Sequence, residues 1–311
     1  ISYLARAGDE FIWMLLINSD GGRQMKKKWV PILFFIVLSL CLSVCACRKK
    51  ESKATSTIKV TGSTTVLPAI SNGAESFMRA YPDVIITINA GGSGVGVTSV
   101  ANGLADIGMI SRDISGEEKK NFPHVDFRVY AIGKDAVACV VSSEIYNAGI
   151  RSLSGETIRK IYLGKIKNWK EIGGPDKDIL VVDKESHRGT RHVFMEYIFG
   201  DEKAKAPGAD IVTGSNNEEQ SKIGQSDSAI GMLSYAWINK DVAGIGVVVD
   251  GKVIEPTIEN IKNGSYPIVR NLLLVTRGEP SGAVKEFIDF ILSHRGQRIV
   301  EEAGYVPIKA D

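Results

Sequence analysis

Four times along this chain a β-like run ends, Gly and Ser or Thr follow, and a helical pattern begins. The junctions read TGSTT at 61–65, GGSG at 91–94, SHRGT at 186–190 and GSNN at 214–217. A helix N-terminus exposes unpaired N–H groups and a partial positive charge, so it draws anions. Gly lets a ligand approach the backbone, and a hydroxyl adds a neutral donor. Several such ends brought together would hold a compact oxyanion with little formal charge. Ordinary capping by Ser and Thr is the competing explanation for each junction taken alone. Nucleotide loops do not fit: no Gly-Lys-Ser/Thr triplet occurs, and GGSGVG at 91–96 lacks the GxGxxG spacing. A hydrolase elbow at Ser93 fails because Val95 stands where the second Gly is needed. His187 follows Ser186 directly, and adjacent residues seldom face each other productively. No catalytic set emerges, and the chain is expected not to be an enzyme.

The junctions belong to a longer alternation. Strand-like runs at 58–60, 84–90, 105–110, 179–182, 229–233 and 272–276 interleave with helical patterns. The helices are expected at 63–79, from the Gly-rich turn through Val100, and at 154–162, 190–199 and 283–303, with Ser115 an N-cap. A long β-rich run, FRVYAIGKDAVACVVS, covers 127–142. This rhythm predicts an α/β fold with largely parallel sheets. At 311 residues the chain is long for one domain, and two lobes with the chain crossing between them fit best.

The first 57 residues read differently. Met25-Lys26-Lys27-Lys28 precedes an uncharged stretch, WVPILFFIVLSLCLSVCA, at 29–46, the order of a secretory signal. A retained transmembrane anchor is the alternative, with the span near the lower limit for a bilayer. Val44-Cys45-Ala46-Cys47 resembles a bacterial lipobox, with Cys45 where Ala, Ser or Thr is commoner. By that resemblance Cys47 is diacylated, becomes the mature N-terminus and holds the protein to a membrane. Residues 1–24 are expected to be an upstream extension, 25–46 a signal peptide and 47–57 a polar tether.

Charge excludes other classes. The chain has 38 Lys and Arg against 36 Asp and Glu; residues 1–46 hold five basic and three acidic groups, leaving 33 of each sign. Such balance argues against a nucleic-acid binder. Of the four cysteines, Cys41, Cys45 and Cys47 crowd one apolar stretch, so neither a zinc framework nor a disulfide scaffold is expected. Cys139, in AVACVV, is expected to be a buried thiol. The histidines His124, His187, His192 and His294 are scattered, so no metal is expected, and no cofactor.

TGSTTVLP, NAGGSGVG, ADIGMISRDIS, the RGTRHVF helix start, TGSN, AIGMLS and PTIENIKNGSYPIVRNLLLV occur in order across residues 58–308. This series resembles the phosphate-binding proteins of bacterial phosphate ABC importers. The resemblance implies a type II periplasmic-binding-protein fold: two α/β lobes joined by crossing hinge strands, with ligand between them. Its lobes are expected at 58–137, 138–248 and, returning to the first, 249–311, with the hinge near 131–141 and 267–276. The implied ligand is inorganic phosphate and the implied partners are ABC permease and ATPase subunits, served by an extracytoplasmic monomer. Sulfate, molybdate or tungstate on the same fold, or phosphate sensing without transport, are the alternatives. The family's phosphate contacts fall on Ser63, Thr64 and Thr65; on Ser93 and Gly94; on Ser111 and Arg112; and on Arg188, Gly189 and Thr190. Lys184, His187 and Arg188 depart from the family's usual fourth loop. Arg112 is the expected charged ligand group. Hydrogen phosphate also offers a proton, which needs an acceptor. Ser111 stands where other members have Asp, so Asp113 or Glu185 is expected to supply it. His187 and His192 are expected to be surface or packing residues, and Trp169 a lobe-packing residue.

Overall fold

A computed structural model describes residues 56–308, all within one compact unit. The signal segment, Cys47 and most of the tether lie outside the described residues; among the described residues no helix is long and apolar enough to cross a membrane.

The first half of the fold alternates as its sequence pattern requires. It runs β1 (Ser56–Gly62), α1 (Leu67–Ala80), β2 (Val84–Ala90), α2 (Ser93–Ala101), β3 (Ile107–Ile110) and α3 (Gly116–Asn121). Helix α1 carries Pro68 in its first turn, where a missing N–H costs nothing, and buries Ala69, Ile70, Ala74 and Phe77 on one face. It starts four residues later than the sequence pattern suggests. Residues 63–66 form a turn instead, in which the amide of Leu67 donates to the Ser63 carbonyl at 3.1 Å. Ser115 caps α3 through a reciprocal capping box with Glu118.

Strand β4 (Phe127–Ser142) then crosses the molecule. Beyond it lie α4 (Ser143–Asn147), β5 (Ser152–Ser154), α5 (Gly155–Tyr162), β6 (Leu180–Lys184), α6 (Gly189–Phe199), β7 (Ile211–Thr213), α7 (Asn216–Gly224) and β8 (Ala229–Ser234). Next come β9 (Val242–Gly244), β10 (Gly246–Val249), β11 (Lys252–Ile254) and α8 (Ile258–Lys262). The chain recrosses through β12 (Val269–Arg277) and ends with α9 (Gly282–Leu292) and α10 (His294–Glu302).

The main sheet has the order β2-β1-β3-β12-β4-β8-β6-β7, with β9 also on β4. Strand β4 changes partner midway: its residues through Ala136 pair antiparallel with β12, and those from Val137 pair antiparallel with β8. Its second half is buried on both faces, as a central strand of apolar residues should be. One hydrogen-bonded path therefore carries separate hydrophobic clusters on either side of the crossing, the two largest of which mark the two lobes. Ile58, Val60, Phe77, Leu272 and Phe287 belong to the first, and Trp169, Phe194, Met232 and Ile245 to the second. This is the two-lobed arrangement expected from the alternation.

The return to the first lobe comes later than residue 249. Strand β11 pairs with β10, and Ile261, Tyr266 and Ile268 pack in the second lobe's core, so the crossing is β12 itself. Trp169 is fully buried there, its indole N–H donating to the Ser228 carbonyl at 2.8 Å, and Cys139 is a buried free thiol.

Candidate functional site between the lobes

Three of the four hydroxyl-bearing junctions converge with no capping role. Helices α1, α2 and α6 begin without a side-chain cap, whereas Ser215 caps α7 by accepting from the Glu218 amide at 3.0 Å. The hydroxyls spared from capping meet one another. Ser63 Oγ donates to Ser111 Oγ at 3.0 Å, and Ser93 Oγ accepts from the Ser111 amide at 3.0 Å. Thr65 Oγ1 of the first lobe lies 3.3 Å from Thr190 Oγ1 of the second. All five of these residues are buried, while Thr64 is half-exposed beside them.

Glycine makes the approach possible. Gly62 ends β1 with φ +135°, and a Cβ there would stand 2.1 Å from the Met109 carbonyl oxygen. Gly189 opens α6 against the first lobe, where a Cβ would stand 2.3 Å from Ser93 Oγ and 2.5 Å from Ser111 Oγ. The amide of Gly94 donates to the His187 carbonyl at 3.2 Å, a direct backbone link between lobes.

The charge at the centre is Arg270. It lies on β12 directly opposite Asp135 on β4, so the two crossing strands place an ion pair at the seam. Its side chain is 2 % exposed and that of Asp135 1 %. Nε and Nη2 donate to Asp135 Oδ2 at 3.0 and 2.7 Å, and Ser234 Oγ donates to Oδ1 at 3.0 Å. The rest of the guanidinium reaches the hydroxyls: Nη1 donates to Thr190 Oγ1 at 3.0 Å and Ser111 Oγ at 3.3 Å, and Nη2 to Thr65 Oγ1 at 3.1 Å. Burial pushes the Asp135 carboxyl up from its ordinary range, against the opposing pull of Arg270. Asn216, first residue of α7, adds another donor from the second lobe, its Nδ2 to Thr65 Oγ1 at 2.9 Å. Arg270 and Asp135 did not emerge from the sequence pattern, and Asn216 emerged only as part of the GSNN junction. The signal for the ion pair is a charge inside each apolar hinge run, Asp135 beside Lys134 in AIGKDAVACVV and Arg270 in PIVRNLLLV.

The arginine expected to lead the site has other partners. Arg112 is buried beside Ser111, but Nη1 and Nη2 make a two-pronged contact with Glu118 at 2.8 Å each, and Nη1 also donates to the Asp113 carbonyl. Arg188 lies at the rim, paired with Glu185, against Gly92 of the first lobe. That pairing holds the Glu185 carboxyl below its usual range. Asp113 is exposed. Neither expected acceptor carboxylate therefore joins the hydroxyl cluster, where the buried carboxylate is Asp135. His187 Nε2 lies 3.2 Å from the Gly91 carbonyl across the cleft, and His192 is buried, the packing placement of the two expected. Lys184 turns away from the seam into the second lobe, pairing with buried Glu219 and donating to the Ser215 carbonyl at 3.3 Å. Burial pushes Glu219 up to about 7 in spite of Lys184, and lowers Lys184 in turn. Among the described residues no cluster of His, Cys, Asp and Glu could hold a metal.

Two lobes, two crossing strands and a buried, donor-rich seam define a solute-binding protein. A family model described as a PBP superfamily domain matches residues 49–295. The phosphate-binding protein PstS of Bacillus subtilis is 33 % identical over 261 residues, covering 84 % of this chain and 83 % of that one. A crystal structure of a putative phosphate ABC transporter substrate-binding protein from Clostridium perfringens, with bound phosphate, is 35 % identical. It superposes with a TM-score of 0.74 over 82 % of this chain and all of that one. An ABC-type phosphate transport receptor from Vibrio cholerae is 29 % identical with a TM-score of 0.64, covering 80 % of this chain and 99 % of that one. The chain belongs to the PstS family of phosphate-binding proteins within the PBP superfamily.

Proposed function

We propose that this protein captures inorganic phosphate between its lobes and delivers it to an ABC permease outside the cytoplasm, as a monomer anchored through lipid on Cys47. It is a carrier, not a catalyst. The observation that carries this reading is Arg270, a buried guanidinium that touches hydroxyls from both lobes at once. A tetrahedral anion has oxygens enough to replace the hydroxyl-to-hydroxyl contacts of Ser63, Thr65, Ser93, Ser111 and Thr190 with donor-to-anion bonds. The uncapped starts of α2 and α6 add backbone N–H groups and their partial positive charge. Asp135 neutralises Arg270 while the site is empty of charge and orients its fork. Closure bends β4 and β12, the two strands that cross between lobes. Arg112, Arg188 and Gly94 flank the cluster, Thr64 lies beside its first turn, and Gly189 is the point of closest approach.

Calorimetric titration with phosphate, sulfate, molybdate and tungstate tests the ligand. Phosphate should bind one to one and at least about tenfold more tightly than the others, a difference of about 1.4 kcal/mol. Tighter binding of sulfate or a metal oxyanion would reassign the ligand. Mass spectrometry of membrane-extracted protein tests the anchor: the mature N-terminus should be a lipid-modified Cys47, and a chain retaining residues 29–46 would contradict it.

A further inference from the structure

His192 lies one turn into α6, just past Gly189 and Thr190, and is 9 % exposed. Its Nε2 is 2.6 Å from the Ser186 carbonyl. A carbonyl only accepts, so Nε2 carries the proton, and a neutral ring keeps a lone pair on Nδ1. That Nδ1 is buried without a hydrogen bond, 3.5 Å from a carboxylate oxygen of Glu202 in the same lobe. From the first lobe Arg112 and Glu118 act on the ring, and Arg112 Nε is also buried without a partner. The groups border a cavity of about 480 Å³ between the lobes, walled by Arg112, Ile114 and Ser115 on one side and His192 and Glu202 on the other. Asp113, Glu196 and Tyr197 face the same space.

We propose that His192 is a positioning residue for the second lobe's anion-binding turn, and that closing the lobes on the ligand expels a proton from its ring. This rests on the reading of the seam as a phosphate site. The neutral ring holds the Ser186 carbonyl and so steadies residues 186–190, whose Gly189 and Thr190 meet the first lobe. A second proton would give Nδ1 a bond to Glu202 but would set a buried imidazolium against Arg112. Burial first, and Arg112 second, push the ring below its usual range in this arrangement, so the neutral form prevails. Opening withdraws Arg112 and Glu118 with the first lobe and lets water into the cavity, which returns the ring to an ordinary value of about 6.5. A group that binds its proton less well closed than open makes closure release that proton. Affinity is therefore full above the open-state value and falls as pH drops through it.

The test titrates phosphate calorimetrically into the wild-type protein, His192→Gln and His192→Ala between about pH 5.5 and about pH 8. Gln can donate to the Ser186 carbonyl but does not titrate. At about pH 8 His192→Gln should bind within about threefold of wild type; at about pH 5.5 its affinity relative to wild type should rise, by up to about tenfold, the limit set by roughly nine-tenths of open wild-type rings being protonated there. His192→Ala, lacking the Ser186 contact, should bind more weakly at every pH. The ionisation of phosphate acts on all three proteins alike, so the differences between them carry the result. Parallel profiles for wild type and His192→Gln would overturn proton release, and wild-type affinity in His192→Ala would overturn the positioning role. Failure of the wild-type protein to bind phosphate at about pH 8 would instead bring down the phosphate reading, and this one with it.

Discussion

Arg112 and Arg270 are both buried at the seam, and their partners separate their roles. Arg112 is consumed by Glu118, a residue of its own lobe, in a closed two-pronged pair. Arg270 shares its charge between Asp135 and hydroxyls from both lobes. Replacing Arg270 with Ala would strand Asp135 as a buried unpaired charge, a cost of about 3–5 kcal/mol that obscures any effect on binding. Arg270→Lys is the cleaner variant, because it keeps the charge opposite Asp135 and removes the fork. We expect it to fold and to lose between about tenfold and a hundredfold in phosphate affinity, the equivalent of one desolvated charge-assisted hydrogen bond. Arg112→Lys should lose less than about threefold in the same titration. The reverse ranking would return the leading role to Arg112. The sequence favours Arg112 because it sits next to Ser111 inside a recognisable loop. Arg270 and Asp135 are 135 positions apart, and only the β4–β12 register brings them face to face.

Helix starts decide the site at the next scale. The hydroxyl at each junction is legible in sequence, but its job is not, since Ser and Thr serve equally as caps and as ligand donors. Structure divides them: Ser215 caps, and the hydroxyls of the other three junctions are free to face the seam. Gly189 at the start of α6 gives an element-level test. Gly189→Ala puts a methyl group on Ser93 and Ser111 of the opposite lobe, so the clash resolves by parting the lobes rather than by unfolding either one. Thermal stability should stay near wild type, while phosphate affinity falls by at least about tenfold. Unchanged affinity would mean that α6 does not approach the first lobe this closely. Lys184 shows a different limit of sequence reading. It is one of the departures in the fourth loop, yet it turns inward to Glu219, and nothing local announces a buried partner on α7. Lys184→Met should cost about 3–5 kcal/mol of stability by chemical denaturation, and Lys184→Met with Glu219→Leu should recover most of it. A double variant no more stable than the single one would assign the cost to packing.

At the scale of the whole molecule, the alternation of strands and helices points to two lobes, and the family resemblance implies a hinge near 131–141, inside the long β run at 127–142. The end of the second lobe was harder to place. The sequence reading returns the chain to the first lobe at residue 249, and only pairing of β11 with β10 and burial of Ile261 and Tyr266 assign residues 249–268 to the second core. Long-range pairing of this kind leaves no local periodicity to read. In the proposed closure, β4 and β12 are then the two main-sheet strands that bend. Asp135 and Arg270 face each other at the crossing itself, so the proposed anion site and the crossing strands are one structure. The most direct measurement is a crystal structure of the protein grown with inorganic phosphate. The account predicts one phosphate between the lobes, its oxygens about 3 Å from Arg270 Nη1 and from the hydroxyls of Thr65, Ser93, Ser111 and Thr190. Phosphate bound on Arg112 with Arg270 still confined to Asp135 and the hydroxyls, or bound away from the seam, would contradict it.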